Sequence, residues 1–370
     1  MSKQTPHKDA SPGRMTRRSA ANTIVRIILS TVVVLCILSP PSQAHITVLL
    51  YHKFDEADSP STSTPTAMFA RQMAYLNDEG YAVISMGELH RCITGDRPVP
   101  DKAVVITLDD GYLSEYTQAV PILKRHGYPF CIFVFTRSVG AHNFMNWDQL
   151  KQIRSFGGEV GSHTHTHPHL VDSSAEEIER EMMTSRQILK EKLGFEPKWF
   201  AYPFGEYDNA IRAQGIKAGY KLLLTSDPGS VGENAMPDIV PRQAIVGQNM
   251  TMERFREKLS RPELHVLKRS PGHGRLSGGI LSEISVTIAE PRDYYPGQVQ
   301  MFLSEKGRLN TQFDPETGVL TCNDSLVLTR KVNRIITTAR RRSDGLYAMY
   351  SYMIVLPEGM QIKAKNAYTP

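Results

Sequence analysis

The chain is short of the features that staple or embed a protein. Its 370 residues hold 4 cysteines and 2 tryptophans. That is no disulfide framework, and a chain of this length can bury a core without one. No apolar run reaches the ~20 residues a membrane-spanning helix needs; the stretch Ile27–Leu38 holds 12. No internal repeat is visible, which sets aside solenoids. An excess of positive charge is also missing where it would matter. The formal net charge is +5, but residues 1–44 carry six basic residues and one acid, leaving 37 basic and 37 acidic beyond them. The basicity belongs to the N-terminus, so a nucleic-acid surface is not expected on the rest.

That N-terminus has the three parts of a secretory leader: a basic region ending at Arg26, the apolar stretch, and Ser39-Pro40-Pro41-Ser42-Gln43-Ala44 with small residues at 42 and 44. Residues 1–44 are read as a signal peptide cleaved after Ala44, which predicts an exported, periplasmic or extracellular protein. Membrane association is expected only if the leader stays uncleaved. Cleavage would remove Cys36. Of the remaining cysteines, Cys131 lies in the apolar run Phe130–Phe135 and reads as a core thiol.

What is present is alternation. Ile46–Leu50, Ala103–Leu108, Phe130–Phe135 and Lys221–Leu224 are short β-rich runs, the first three almost continuously apolar, as strands buried on both faces are. Helical patterns lie between them at 67–79, 114–126, 147–156, 174–193, 207–218 and 251–260. Ser174 and Glu177 form a capping box, and Gly194 supplies a stop. An α/β domain with a largely parallel sheet is expected over 45–260. Residues 261–279 are rich in Pro, Gly and Ser and read as a linker. Short alternating runs with turn signals over 280–358 read as a small all-β sandwich, followed by a tail, 359–370.

Three motifs carry chemistry. Asp109-Asp110-Gly111 closes the apolar run Ala103–Leu108. Two adjacent acids at the end of a buried strand can divide labour, one on a metal and one as a base; Asp-Gly is equally a common turn. His163, His165, His167 and His169 put four imidazoles in seven residues, which points to a metal. The spacing fits a pair four apart, His163 and His167, or an HxH pair of amidohydrolase or phosphoesterase type, His163 and His165. The metallo-β-lactamase pattern HxHxDH lacks its Asp here. Tyr202-Pro203-Phe204-Gly205 is a tight turn that could present a backbone N–H to an oxyanion.

Taken in order, these motifs resemble the NodB-homology polysaccharide deacetylases, carbohydrate esterase family 4. Their first motif, TFDDG, is matched by Thr107-Leu108-Asp109-Asp110-Gly111. Their second, H-[S/T]-x-x-H, is matched by His163-Thr164-His165-Thr166-His167. Their third, R-x-P-[Y/F]-G, is matched by Ala201-Tyr202-Pro203-Phe204-Gly205. Two positions depart. Ala201 replaces the Arg that holds the base, and Arg242 is the candidate to supply that guanidinium. The late L-x-H motif is missing, but Leu50-Tyr51-His52 matches it at the other end, as in circularly permuted members resembling poly-N-acetylglucosamine deacetylases.

The resemblance implies a distorted (β/α) barrel followed by the β-sandwich. It implies one divalent metal on Asp110, His163 and His167, with zinc the first candidate and other transition metals able to replace it. Asp109 would be the base, the Phe204 N–H the oxyanion donor and His52 the acid. Thr164, Tyr202, Pro203 and Arg242 would support the site, and Trp147, Trp199, Tyr202 and Tyr207 are candidates for stacking on sugar. His165 and His169 are expected off the metal. The implied reaction removes the N-acetyl group from N-acetylglucosamine units of an extracytoplasmic polysaccharide. Two other readings stay open: an O-acetyl polysaccharide esterase on the same fold, and an inactive exported carbohydrate-binding protein.

Overall fold

The expected β-rich runs form one sheet, and alternation along its strands decides which core each side chain enters. The computed structural model describes residues 1, 2, 4, 44–232 and 235–359. Seven parallel strands lie in the spatial order Gln243–Ala244, Ile46–Tyr51, Ala103–Asp110, Cys131–Val134, Glu159–Ser162, Trp199–Ala201 and Leu222–Leu224, with Ala82–Val83 also paired to Ala103–Asp110. The two ends of this order approach each other through one segment: Val240 bridges to Leu224, and Gln243–Ala244 pairs with Leu49–Leu50. The sheet therefore curls into a distorted, incompletely closed barrel, as the resemblance implies.

Successive side chains of a strand point to opposite faces. Val104, Ile106, Leu108, Ile132 and Val134 enter one apolar cluster with helix residues such as Phe69, Met73 and Leu150. Ala103, Val105, Cys131, Phe133, Trp199, Leu222 and Leu224 enter another. The helices Thr66–Asp78, Trp147–Ser155, Ala175–Leu193, Asn209–Lys217 and Met252–Leu259 lie where periodicity puts them. The helix expected over 114–126 is broken: a π-turn, Glu115–Ala119, precedes the α-helix Val120–His126. Pro121 has no N–H to bond backward, which spoils α geometry in the turn before it. A further helix, Met86–Ile93, is opened by a capping box of Ser85 and Glu88.

The linker expectation needs correction. Val266–Ser270 is a strand paired antiparallel with Ile284–Ile288, and Gly274–Arg275 pairs with Tyr347–Val355. Backbone pairing there outweighs the turn-forming composition around it. These strands join a four-stranded and a five-stranded sheet, mostly antiparallel, which share one apolar cluster including Val286, Leu320, Met301, Ile335 and Tyr352. Barrel and C-terminal sheets belong to one compact unit. Met353 and Val355 of the second part sit in a cluster with Tyr202, Tyr207 and Ile211 of the first.

The expected leader and tail fall almost wholly outside the described residues. Among the described residues, no helix is long and apolar enough to cross a membrane, and Cys92, Cys131 and Cys322 are buried free thiols.

Candidate active site

The two adjacent aspartates are separated by the strand that carries them. Asp109 lies on the same face as Val105 and Thr107, and it is 2% exposed. Arg242, fully buried, meets it there: Nη1 donates to Oδ1 at 2.8 Å and Nη2 to Oδ2 at 2.6 Å. The guanidinium is itself held, donating to the Thr225 carbonyl at 2.7 Å and to Thr107 Oγ1 at 3.2 Å, and lying over the Phe133 ring. Burial alone would push the Asp109 carboxyl up. Burial is the largest single effect, but the Arg242 charge, the neighbouring His163, the hydrogen bonds from Arg242 and the nearby His52 together outweigh it and hold the carboxyl down at about 2. Asp109 is thus a carboxylate at neutral pH, with a fixed orientation.

Asp110 leaves the strand in the left-handed region, φ 84°. That turn swings its carboxylate to the imidazoles. Asp110 Oδ1 lies 3.3 Å from His167 Nε2 and 3.5 Å from His163 Nε2, and the two Nε2 atoms are 3.2 Å apart. Among the described residues, these three form the cluster able to hold a metal ion. The triangle has the right size: ligands at ~2.0–2.1 Å in tetrahedral geometry stand about 3.3–3.4 Å from one another. The donor set fits as well. His163 Nδ1 lies 2.7 Å from the Ala201 carbonyl, which can only accept. The proton is therefore on Nδ1, and Nε2 presents its lone pair. Burial, then the repulsion that a protonated His163 would exert, hold His167 down at about 4 despite the pull of Asp110 and Asp109, so it is neutral at pH 7.

The loop carrying the imidazoles is pinned from outside. Glu181 accepts from the backbone N–H groups of His165 and Thr166 at 2.9 and 2.7 Å, and from Thr166 Oγ1 at 2.7 Å. Thr164 Oγ1 accepts from the His167 N–H at 3.0 Å. Thr164 (φ 71°), His167 (φ 62°) and Phe204 (φ 57°) join Asp110 in the left-handed region. Such backbone costs ~1–3 kcal/mol per residue and persists only where the surroundings enforce it. His165 turns away to Thr136 Oγ1 at 2.8 Å. His169 pairs with Glu206 at 2.9 Å and stacks on the Phe204 ring, centroids 3.8 Å apart.

Phe204 sits in the turn Pro203–Gly205, its side chain exposed. Gly205 (φ 67°) allows the turn to lie against the next loop; a Cβ there would stand 2.5 Å from the Ser226 backbone nitrogen. His52 follows the strand Ile46–Tyr51, and its charge would act on both Asp109 and His167, so it lies near them. Its Nδ1 is buried without a hydrogen-bond partner.

The sugar-stacking expectation is corrected for three residues. Tyr202 and Tyr207 are fully buried, their hydroxyls bonded to the Asp238 carbonyl and Asp227 Oδ2, and Trp199 is buried with Nε1 on Glu159. They are core residues. Trp147 is half-buried against the barrel's main apolar cluster. The available rings are others. Tyr112–Phe144, Phe144–Phe135, Phe135–His167, His167–Phe204 and Phe204–His169 are successive contacts, with centroids 4.9, 5.3, 5.3, 4.6 and 3.8 Å apart. All six rings are at least partly exposed. They make a continuous strip that passes through the metal triangle. Tyr112, Phe135 and Phe144 are unremarkable in sequence; only the fold aligns them with the motif rings His167, Phe204 and His169.

Fold and site together give an incompletely closed α/β barrel with a cation triangle beside an ionised carboxylate. Known proteins resemble part of the chain. Residues 96–223 match the polysaccharide deacetylase family. The Bacillus subtilis (strain 168) protein YxkH, whose name places it with polysaccharide deacetylases, is 28% identical over 52% of this chain and 68% of its own length. The poly-β-1,6-N-acetyl-D-glucosamine N-deacetylase of Escherichia coli (strain K12) is 24% identical over 62% of this chain; the chain spans only 40% of that protein. The Streptococcus pyogenes deacetylase PplD, solved in complex with acetate, matches with a TM-score of 0.56 at 25% identity, covering 59% of this chain and all of that one.

Proposed function

We propose that the protein removes the acetyl group from N-acetylglucosamine units of a polysaccharide outside the cytoplasm. The observation that carries this reading is the buried Asp109–Arg242 pair beside the Asp110, His163, His167 triangle. Bound to that triangle, a divalent ion, zinc first among the candidates, would supply Lewis acidity and an acidified water. Asp109 would take the proton from the attacking water, and Arg242 would keep it ionised and aimed. The Phe204 N–H would donate to the acetamide oxygen as negative charge grows there. His52 would give its proton to the departing amine nitrogen, so that acetate and a free glucosamine unit leave. The strip of half-exposed rings suits the apolar faces of a sugar chain. The leader expected over residues 1–44 accounts for export.

Acetate release from N-acetylglucosamine oligomers by the zinc-loaded protein tests the reading. Release by wild type that falls at least a thousandfold in Asp109→Asn supports it. Equal rates in the two proteins would remove Asp109 as the base. Release from O-acetylated xylan alone would replace the amide reading with ester hydrolysis.

A further inference from the structure

The C-terminal sheets lie outside the segment that matches the family, yet one of their side chains reaches the catalytic turn. We infer that Arg334, on the strand Val332–Arg341, is a positioning residue for the reaction proposed above, and that the C-terminal sheets are thereby a working part of the active site.

Arg334 Nε donates to Asp227 Oδ1 at 2.8 Å, and its Nη2 reaches the Phe204 carbonyl oxygen at 3.4 Å. Asp227 is 2% exposed and stands three residues beyond the barrel strand Leu222–Leu224. Its second oxygen accepts the Tyr207 hydroxyl at 2.6 Å. Its backbone carbonyl accepts the N–H of Arg242 at 3.0 Å. Tyr207 is held in turn by Met353 of the C-terminal sheets: the Met353 N–H donates to its hydroxyl at 3.3 Å, and the Tyr207 N–H points to Met353 Sδ at 3.4 Å. One buried aspartate thus joins, through its carboxylate, a cation of the C-terminal sheets and, through its carbonyl, the backbone of the residue that holds Asp109. The same cation bonds the carbonyl of the residue whose N–H faces the oxyanion.

Two physical arguments give Arg334 leverage. A carboxylate this buried needs a countercharge, and removing the partner leaves it uncompensated. Phe204 occupies a left-handed conformation that its surroundings must enforce. A bond to its carbonyl fixes ψ, and with φ that fixes the direction of its N–H. Misplacing such a donor by about 1 Å can cost ~100-fold in rate. Substrate held by the ring strip would bind much as before.

The test compares Arg334→Ala, Arg334→Lys and Leu320→Ala. Leu320 lies in the core shared by the C-terminal sheets, on the other sheet from Arg334, so its truncation controls for lost stability. In Arg334→Ala, kcat on an N-acetylglucosamine pentamer is expected to fall about 10- to 100-fold with KM within about twofold, Arg334→Lys recovering part of the loss. Leu320→Ala is expected to lower Tm and leave kcat alone. Phenylalanine-selective ¹⁵N NMR supplies a readout independent of activity: the Phe204 amide signal is expected to shift in Arg334→Ala and stay in place in Leu320→Ala. An unmoved signal, or a kcat loss reproduced by Leu320→Ala, overturns the inference. A moved signal in a protein whose wild type deacetylates no sugar overturns the proposed function and leaves the positioning contact standing.

Discussion

Arg242 clamps Asp109 with two parallel hydrogen bonds, although 133 residues separate them in the chain. The third motif carries Ala201 where relatives of the resembling family place an arginine. Here the guanidinium comes from the segment that brings the two ends of the sheet together. It reaches the same face of the strand as Thr107.

Breaking that clamp is expected to cost both rate and stability. Arg242→Met leaves a buried carboxylate unpaired, a loss of about 3–5 kcal/mol, and should lower kcat/KM at least ~100-fold by loosening the base. Chemical denaturation together with oligomer deacetylation measures both. Full activity in Arg242→Met would mean that Asp109 needs no such partner.

The same pair predicts an acid limb in stability. The folded carboxyl titrates at about 2 and the unfolded one near 3.8, so the folded value is depressed. Its contribution, about 2 kcal/mol, is complete above pH ~4 and disappears as the pH falls through about 2. Unfolding free energies of wild type and Asp109→Asn should differ at pH 5 and converge toward pH 2. Parallel curves over that range would contradict the assignment.

Metal affinity should separate the histidines. His167→Ala removes one corner of the triangle and is expected to weaken zinc binding at least ~100-fold, measured by titration against a competing chelator. His165→Ala, whose imidazole faces Thr136, should bind within about threefold of wild type. Reversal of that order would favour an HxH site built on His163 and His165.

The ring strip predicts a dependence on chain length. Phe144→Ala and His169→Ala each remove one ring, ~1 kcal/mol of contact, or roughly fivefold in kcat/KM on a hexamer. The loss should shrink on a dimer too short to reach that ring. A loss independent of length would place the polymer elsewhere on the surface.

Much of this site could be read from the chain because it rests on local rules. An apolar strand ending in two acids, and two imidazoles four residues apart, specify their own neighbourhood. Arg242 could only be suggested, since nothing near Val240-Pro241-Arg242 says what lies across the barrel. Tyr202 and Tyr207 were legible as aromatics and not as buried ones, because exposure depends on what packs above them, here partly Met353 and Val355. Val266–Ser270 looks like a linker until Ile284–Ile288 supplies its partner. The Asp227–Arg334 pair spans 107 residues and two different sheets, and Ser226-Asp227-Pro228-Gly229 has the composition of an ordinary turn.

The segment Val240–Ala244 touches both ends of the parallel order, and it also carries Arg242. Closing the sheet and arming the base are consequently one event. The contacts involved, such as Leu49 with Gln243, join the beginning and end of the barrel sequence, and pairings of such high contact order form slowly. A partly folded chain can build the strand Ala103–Asp110 and the histidine loop and still leave Asp109 without its cation. In a refolding experiment, the return of activity therefore reports seam closure, later than signals that follow helix formation alone.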